Sequence, residues 1–187
     1  MGQDGTSKTQ PRFIHKRCGA LLLDKVDNKI KFLFLTILIS CDHVGQKHFE
    51  SSKGWFELDY PGHWTQFDEE DGTYLFMDDD DWKGNLRITA MRIENDKEPG
   101  RIERNLREEL EQKTGSKMIT LGNMDAVYWT KEVEQEGDSL LVYNWTTGDS
   151  GTLLICSFVV DKNRIDEKEV KEELGHAIKT LESIRVR

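Results

Sequence analysis

Two acidic runs are the residues whose types and spacing first suggest chemistry. Asp68-Glu69-Glu70-Asp71 and Asp78-Asp79-Asp80-Asp81 flank the short aromatic stretch Thr73 to Met77, in "FDEEDGTYLFMDDDDWKGN". Carboxylate oxygens gathered from two loops are what a hard cation such as calcium takes. The loop grammar of an EF-hand is missing. Counted from Asp78, the fifth and sixth positions are Trp82 and Lys83, where an acid or amide and a glycine are required. Runs of like charge are ordinarily solvated. The second run, next to Trp82, is therefore read as part of a face for a protein partner, together with Trp64. The candidate partner-binding residues are Trp64, Asp78, Asp79, Asp80, Asp81 and Trp82, since tryptophan is enriched where binding energy concentrates.

Other chemistries find no pattern. His43, His48, His63 and His176 are scattered, with no Cys or Glu partner at a recognisable ligand spacing, so no metal site is expected. Ser51 and Ser52 lie outside any G-x-S-x-G elbow, and no glycine-rich phosphate loop occurs. No catalytic residues and no cofactor are expected. Cys18, Cys41 and Cys156 form no CxxC pair, and their odd number argues against a disulfide framework. Cys156 sits in "TLLICSFVV", where cysteine packs as a small hydrophobe. Asn144-Trp145-Thr146 matches a glycosylation sequon, but inside an expected strand.

Cys41 is different. It ends "FLFLTILISC", ten residues that are too few for a bilayer, which needs about 20, but of the length of a signal-peptide apolar core. Lys29 and Lys31 supply the positive flank, and Leu38-Ile39-Ser40-Cys41 resembles a bacterial lipobox. Acyl chains on Cys41 would anchor the protein stably, because two or more chains are needed for that. The polar "CDHVGQKHFESSKG" then serves as a tether. The alternative takes "CGALLLD" and "KIKFLFLTI" as two strands around the turn "KVDN".

Composition bounds the rest. A chain of 187 residues holds one ordinary domain and a tail. A net charge of -9 repels phosphate backbones and sets nucleic acid aside as a partner. Only 36% of residues are hydrophobic, but five Trp, eight Phe and four Tyr distinguish the chain from disordered acidic proteins.

The elements that must position any site are legible from Gly54 onward. "WFELDY" is a strand broken by Pro61-Gly62. "TYLFM" and "NLRITAMRI" are further strands, the second central because both of its faces carry apolar residues. Ile102, Leu106 and Leu110 mark an amphipathic helix that ends at Gly115. "SKMITLG", "DAVYWTKEVEQ" and "SLLVYNWTT" follow as strands, the last two joined by "EGD". The continuous apolar run "GTLLICSFVV" is expected to be buried on both faces. Val170, Leu174, Ile178 and Leu181 define a last helix. Strands, helix, strands, helix is the order of an α+β fold, an antiparallel β-sheet with packed helices.

That order, with Tyr60-Pro61-x-x-Trp64, the strand "GNLRITA" from Gly84 to Ala90 and the closing "LESIRV", resembles the PsbP-like superfamily over about Phe49 to Arg187. The nearest likeness is to bacterial PsbP-like domains of unknown function, which are often exported lipoproteins. The resemblance implies an α/β/α sandwich, a binding or scaffolding role and no shared catalytic residues. Residues 1–45 are expected to form an N-terminal extension with a lipoprotein signal ending at Cys41, and residues 46–187 the PsbP-like domain. The expected function is non-enzymatic recognition of a protein partner from a lipid anchor in the cell envelope. The alternative is a soluble cytoplasmic binding or chaperone-like protein of the same fold.

The anchor is tested in the native host by membrane fractionation and intact mass. A diacylated N-terminus at Cys41, lost with membrane partition in Cys41→Ala, is the expected outcome. A soluble, unmodified chain that keeps the residues before Cys41 would make "FLFLTILISC" a structural segment.

Overall fold

A computed structural model describes residues 45–93 and 100–187 of the chain. Cys18, Cys41 and "FLFLTILISC" lie outside the described residues. Ten strands and two α-helices are described: β1 (Gln46–Glu50), β2 (Phe56–Pro61), β3 (Thr65–Asp68), β4 (Thr73–Met77), β5 (Asn85–Arg92), α1 (Arg101–Gln112), β6 (Lys117–Leu121), β7 (Met124–Gln135), β8 (Asp138–Asp149), β9 (Thr152–Asp161), α2 (Lys168–Glu182) and β10 (Arg185–Val186). Seven strands form one sheet in the order β3-β4-β5-β9-β8-β7-β6, and three form another in the order β1-β2-β10. Every pairing is antiparallel.

The period-2 alternation of the strands divides the large sheet into two unlike faces. Leu86, Ile88 and Ala90 of β5 face the same way as Leu154, Cys156 and Phe158 of β9, because Ile88 pairs with Cys156 and Leu86 with Phe158. All six are buried. This face carries the core. Over its β4 end lies the small sheet, which joins Phe49, Phe56, Tyr74 and Phe76 in an aromatic cluster of ring centroids 4.9 to 5.8 Å apart. Helix α2 packs against β2 and β9, burying Val170, Ala177 and Leu181. Each such aliphatic or aromatic side chain contributes roughly 1.5–3 kcal/mol when fully buried.

Helix α1 packs on β7 and β8. Leu106 of this helix is buried, as are Val127 and Val142, which alternate away from the main core. One helix layer therefore lies on each side of the sheet, the α+β sandwich anticipated from the sequence.

Two expectations are corrected. β9 is buried on one face and not both: Leu154, Cys156, Phe158 and Val160 point into the core, while Ile155 on the reverse face is 40% exposed. Its continuous apolar character therefore overstates its burial. The polar stretch after Cys41 is not merely a tether, since Gln46 to Glu50 pair with Pro61 to Glu57 as an edge strand. Only Phe49 of that strand inserts into the core cluster, so one buried aromatic and a ladder of backbone bonds hold an otherwise polar segment.

The β6–β7 turn depends on glycine. Gly122 has φ +62, and a Cβ there would collide with the backbone carbonyl oxygen of Glu182 at the end of α2. Gly115 also has a positive φ, +74, but open space around it. Gly115→Ala is expected to lose the ~1–2 kcal/mol of a left-handed residue. Gly122→Ala should lose more, read as a lower denaturant midpoint than that of Gly115→Ala; equal midpoints would discount the contact with α2.

Candidate functional site

The turn between β2 and β3 carries His63 and Trp64 to the inner side of α2. Trp64 N bonds the Pro61 carbonyl at 3.0 Å and closes the turn that Pro61-Gly62 begins. The indole then lies wholly buried, with Nε1 donating to Glu173 Oε1 at 2.5 Å. Glu173 is itself only 3% exposed although its side chain is a carboxyl group. A carboxylate taken from water must have its lone pairs met, and three groups surround this one. Besides the indole, His176 Nδ1 lies 3.0 Å and His63 Nε2 3.4 Å from Glu173 Oε2. The two imidazole rings meet edge to face at 5.3 Å.

The expectation that Trp64 belongs to an exposed partner-binding face is therefore corrected. Its ring is spent on the core and on Glu173, so none of its surface is left for a partner.

Asp78 to Trp82 form the loop between β4 and β5. Asp78 Oδ1 accepts from the backbone N–H groups of Asp80 and Asp81 at 3.1 and 3.3 Å, an Asx turn that orders the loop. Asp79 Oδ1 accepts from Thr65 Oγ1 at 2.7 Å. Lys83 Nζ is 3.0 Å from Asp81 and 3.9 Å from Asp78; the hydrogen bond to Asp81 is the main cause holding its ammonium above the ordinary lysine pKa. Arg164 donates to the Trp82 carbonyl at 3.2 Å and binds Glu167 in front of α2. Trp82 remains 39% exposed, the most exposed of the described tryptophans. Glu173 also raises the Lys83 pKa electrostatically, though as the smallest of the named causes. The acidic loop and the histidine cluster thus stand close to each other beside α2.

The other acidic run does not join them. Asp68 to Asp71 lie at the opposite end of β4, and a five-residue strand spans roughly 16 Å. The two runs cannot share one cation. Ser51 and Ser52 are structural: Ser51 Oγ accepts from the backbone N–H groups of Trp55 and Phe56, and Ser52 bonds the Tyr74 hydroxyl. Burial pushes the Cys156 thiol up to about 12, which keeps it protonated and inert.

On the far side of α2, two adjoining grooves of about 250 and 270 Å³ meet at Tyr143 and Leu174. Tyr128, Tyr143 and Trp145 line the floor of the first. Burial raises the pKa of both tyrosine hydroxyls, so they remain neutral donors at physiological pH.

Sequence reasoning missed Glu173 and the convergence of His63 with His176. One signal was present. Glu173 and His176 are spaced i, i+3, on one face of a helix. Nothing in the sequence placed His63 opposite them across 110 residues.

An antiparallel sheet sandwiched between helices, with a Y-P-x-x-W turn pinned beneath the last one, defines an α+β sandwich domain. The chain belongs to the family described as Domain of unknown function (DUF3805), whose model matches residues 44–187. A crystal structure from Bacteroides thetaiotaomicron VPI-5482 is similar, with 26% identity and a TM-score of 0.65, over 75% of this chain and 48% of that one. The chain thus spans about half the length of that protein. The solution structure of cyanobacterial PsbP (CyanoP) from Synechocystis sp. PCC 6803 is similar at 17% identity and a TM-score of 0.41, over 79% of this chain and 98% of that one. LpqN of Mycobacterium tuberculosis, described as involved in cell envelope biogenesis, has 14% identity and a TM-score of 0.45, over 81% of this chain and 96% of that one. No curated protein matches the sequence. Among the described residues no helix is long and apolar enough to cross a membrane.

Trp64→Phe removes the N–H that meets Glu173 together with part of a fully buried ring. Hydrogen bonds to charged groups are worth about 1.5–3 kcal/mol and the cavity adds to that, so a loss of at least that size in urea unfolding is the expected result. A loss below ~0.5 kcal/mol would mean that the carboxylate does not depend on the indole.

Proposed function

We propose that the protein is a non-enzymatic binding module of the cell envelope, tethered by lipid on Cys41, which recognises a protein partner through the loop Asp78 to Trp82. The observation that carries this reading is the exposed Trp82 on a loop whose shape is already fixed. The Asx turn at Asp78 and the bond from Arg164 to the Trp82 carbonyl order the backbone before any partner arrives, so little ordering entropy is lost on binding. A partly exposed indole beside Asp79 and Asp80 suits a partner with an apolar pocket rimmed by Lys or Arg. The lipobox-like Leu38-Ile39-Ser40-Cys41 supports the tether. A loop that contacts by shape and charge, with its acids paired to each other's backbone and to Lys83, suits recognition better than turnover.

The reading is tested with a photo-crosslinking amino acid at position 82 and, as control, at the exposed tip Glu136 of the β7–β8 hairpin. A discrete protein adduct from position 82 alone is expected. The partner so identified, once purified, should bind Trp82→Ala at least about tenfold more weakly than the unaltered chain. Equal adducts from both positions, or unchanged affinity of Trp82→Ala, would overturn the loop as the contact.

A further inference from the structure

We infer that His63, Glu173 and His176 form a binding site for a divalent transition-metal ion of the zinc class. His63 Nε2, Glu173 Oε2 and His176 Nδ1 lie within 4.8 Å of one another. For an ion held at about 2.0–2.1 Å in tetrahedral geometry, neighbouring ligand atoms stand roughly 3.3 Å apart. The two observed separations from Glu173 Oε2 are 3.4 and 3.0 Å. Both separations lie close to that value.

The donor set favours this class. Two imidazoles and one carboxylate suit zinc and its neighbours, whereas calcium and magnesium take oxygen ligands. The carboxylate is orientated as a ligating carboxylate usually is, because Oε1 is occupied by Trp64 Nε1–H and Oε2 alone is turned to the imidazoles. The cluster is also accessible where it must be. The His63 and His176 side chains are 30% and 40% exposed while that of Glu173 is 4% exposed. An ion can enter from solvent, lose its water on the buried side and keep a fourth position open. Each imidazole already has one ring nitrogen directed at Glu173 Oε2, the oxygen that the ion would share with them. Lys83 opposes a cation here, but its ammonium is paired with Asp81 and Asp78.

The site joins the β2–β3 turn to α2, two segments 110 residues apart. It is independent of the partner-binding reading, which uses Trp82 and the outer acids.

The full chain, carrying no histidine tag and stripped with chelator, is titrated calorimetrically with zinc chloride. One ion per chain is expected, with His63→Gln and His176→Gln each weakening affinity by at least about tenfold and Asp79→Asn leaving it unchanged. Cobalt(II) in place of zinc should give the intense visible bands of a tetrahedral centre. Should either variant fail to fold, the histidine ring resonances of the unaltered chain supply the readout. Those of His63 and His176 should move together and saturate at one equivalent, with His48 unmoved. No saturable binding, binding that survives both histidine substitutions, or loss in Asp79→Asn alone would overturn the site.

Discussion

The bond between the Trp64 indole and the Glu173 carboxylate is the contact on which the architecture around α2 depends. A polar side chain at 3% exposure is costly unless hydrogen-bonded. That requirement fixes where α2 can lie relative to the β2–β3 turn. With Trp64 seated, β2 enters at the right depth for Phe56 and Leu58 to reach the core, and Ser183 at the end of α2 bonds the backbone of Asp59 on the same strand. One polar contact and one apolar interface therefore specify the same placement.

The consequence for the surface is an unequal division of labour. The inner side of α2 holds an ordered polar cluster next to a braced acidic loop, while its outer side leaves a shallow aromatic groove over Tyr128, Tyr143 and Trp145. On the reverse of the large sheet α1 packs over β7 and β8, and Ile155 and Met91 are partly exposed.

Several elements were legible because local pattern and tertiary role agree. Ile102, Leu106 and Leu110 lie within α1, and Val170, Leu174, Ile178 and Leu181 within α2. Strand β5 was expected to be central and pairs on both sides. Glu136-Gly137, both at positive φ, make the tight β7–β8 turn that "EGD" suggested. The failures have one cause. Strand β1 is polar except for Phe49, so its pairing with β2 leaves no periodic signature. The long apolar run of β9 hides a half-exposed face, because propensity does not register how far a neighbouring helix extends. Trp64 and Trp82 look alike in sequence, yet one is the most deeply buried tryptophan and the other the most exposed.

The sequence by itself determined the α+β class, the order of most elements, the turn chemistry at Pro61-Gly62 and the acidic character of the surface. These follow from periods of 2 and 3.6 residues and from the backbone preferences of Gly and Pro, which act within a few residues. Only the tertiary structure decided that His63 meets Glu173 and His176, that Trp64 is buried under α2, and that the two acidic runs stand at opposite ends of β4. Those outcomes depend on contacts between distant segments, and side-chain burial there is set by how whole layers stack, which no local spacing encodes.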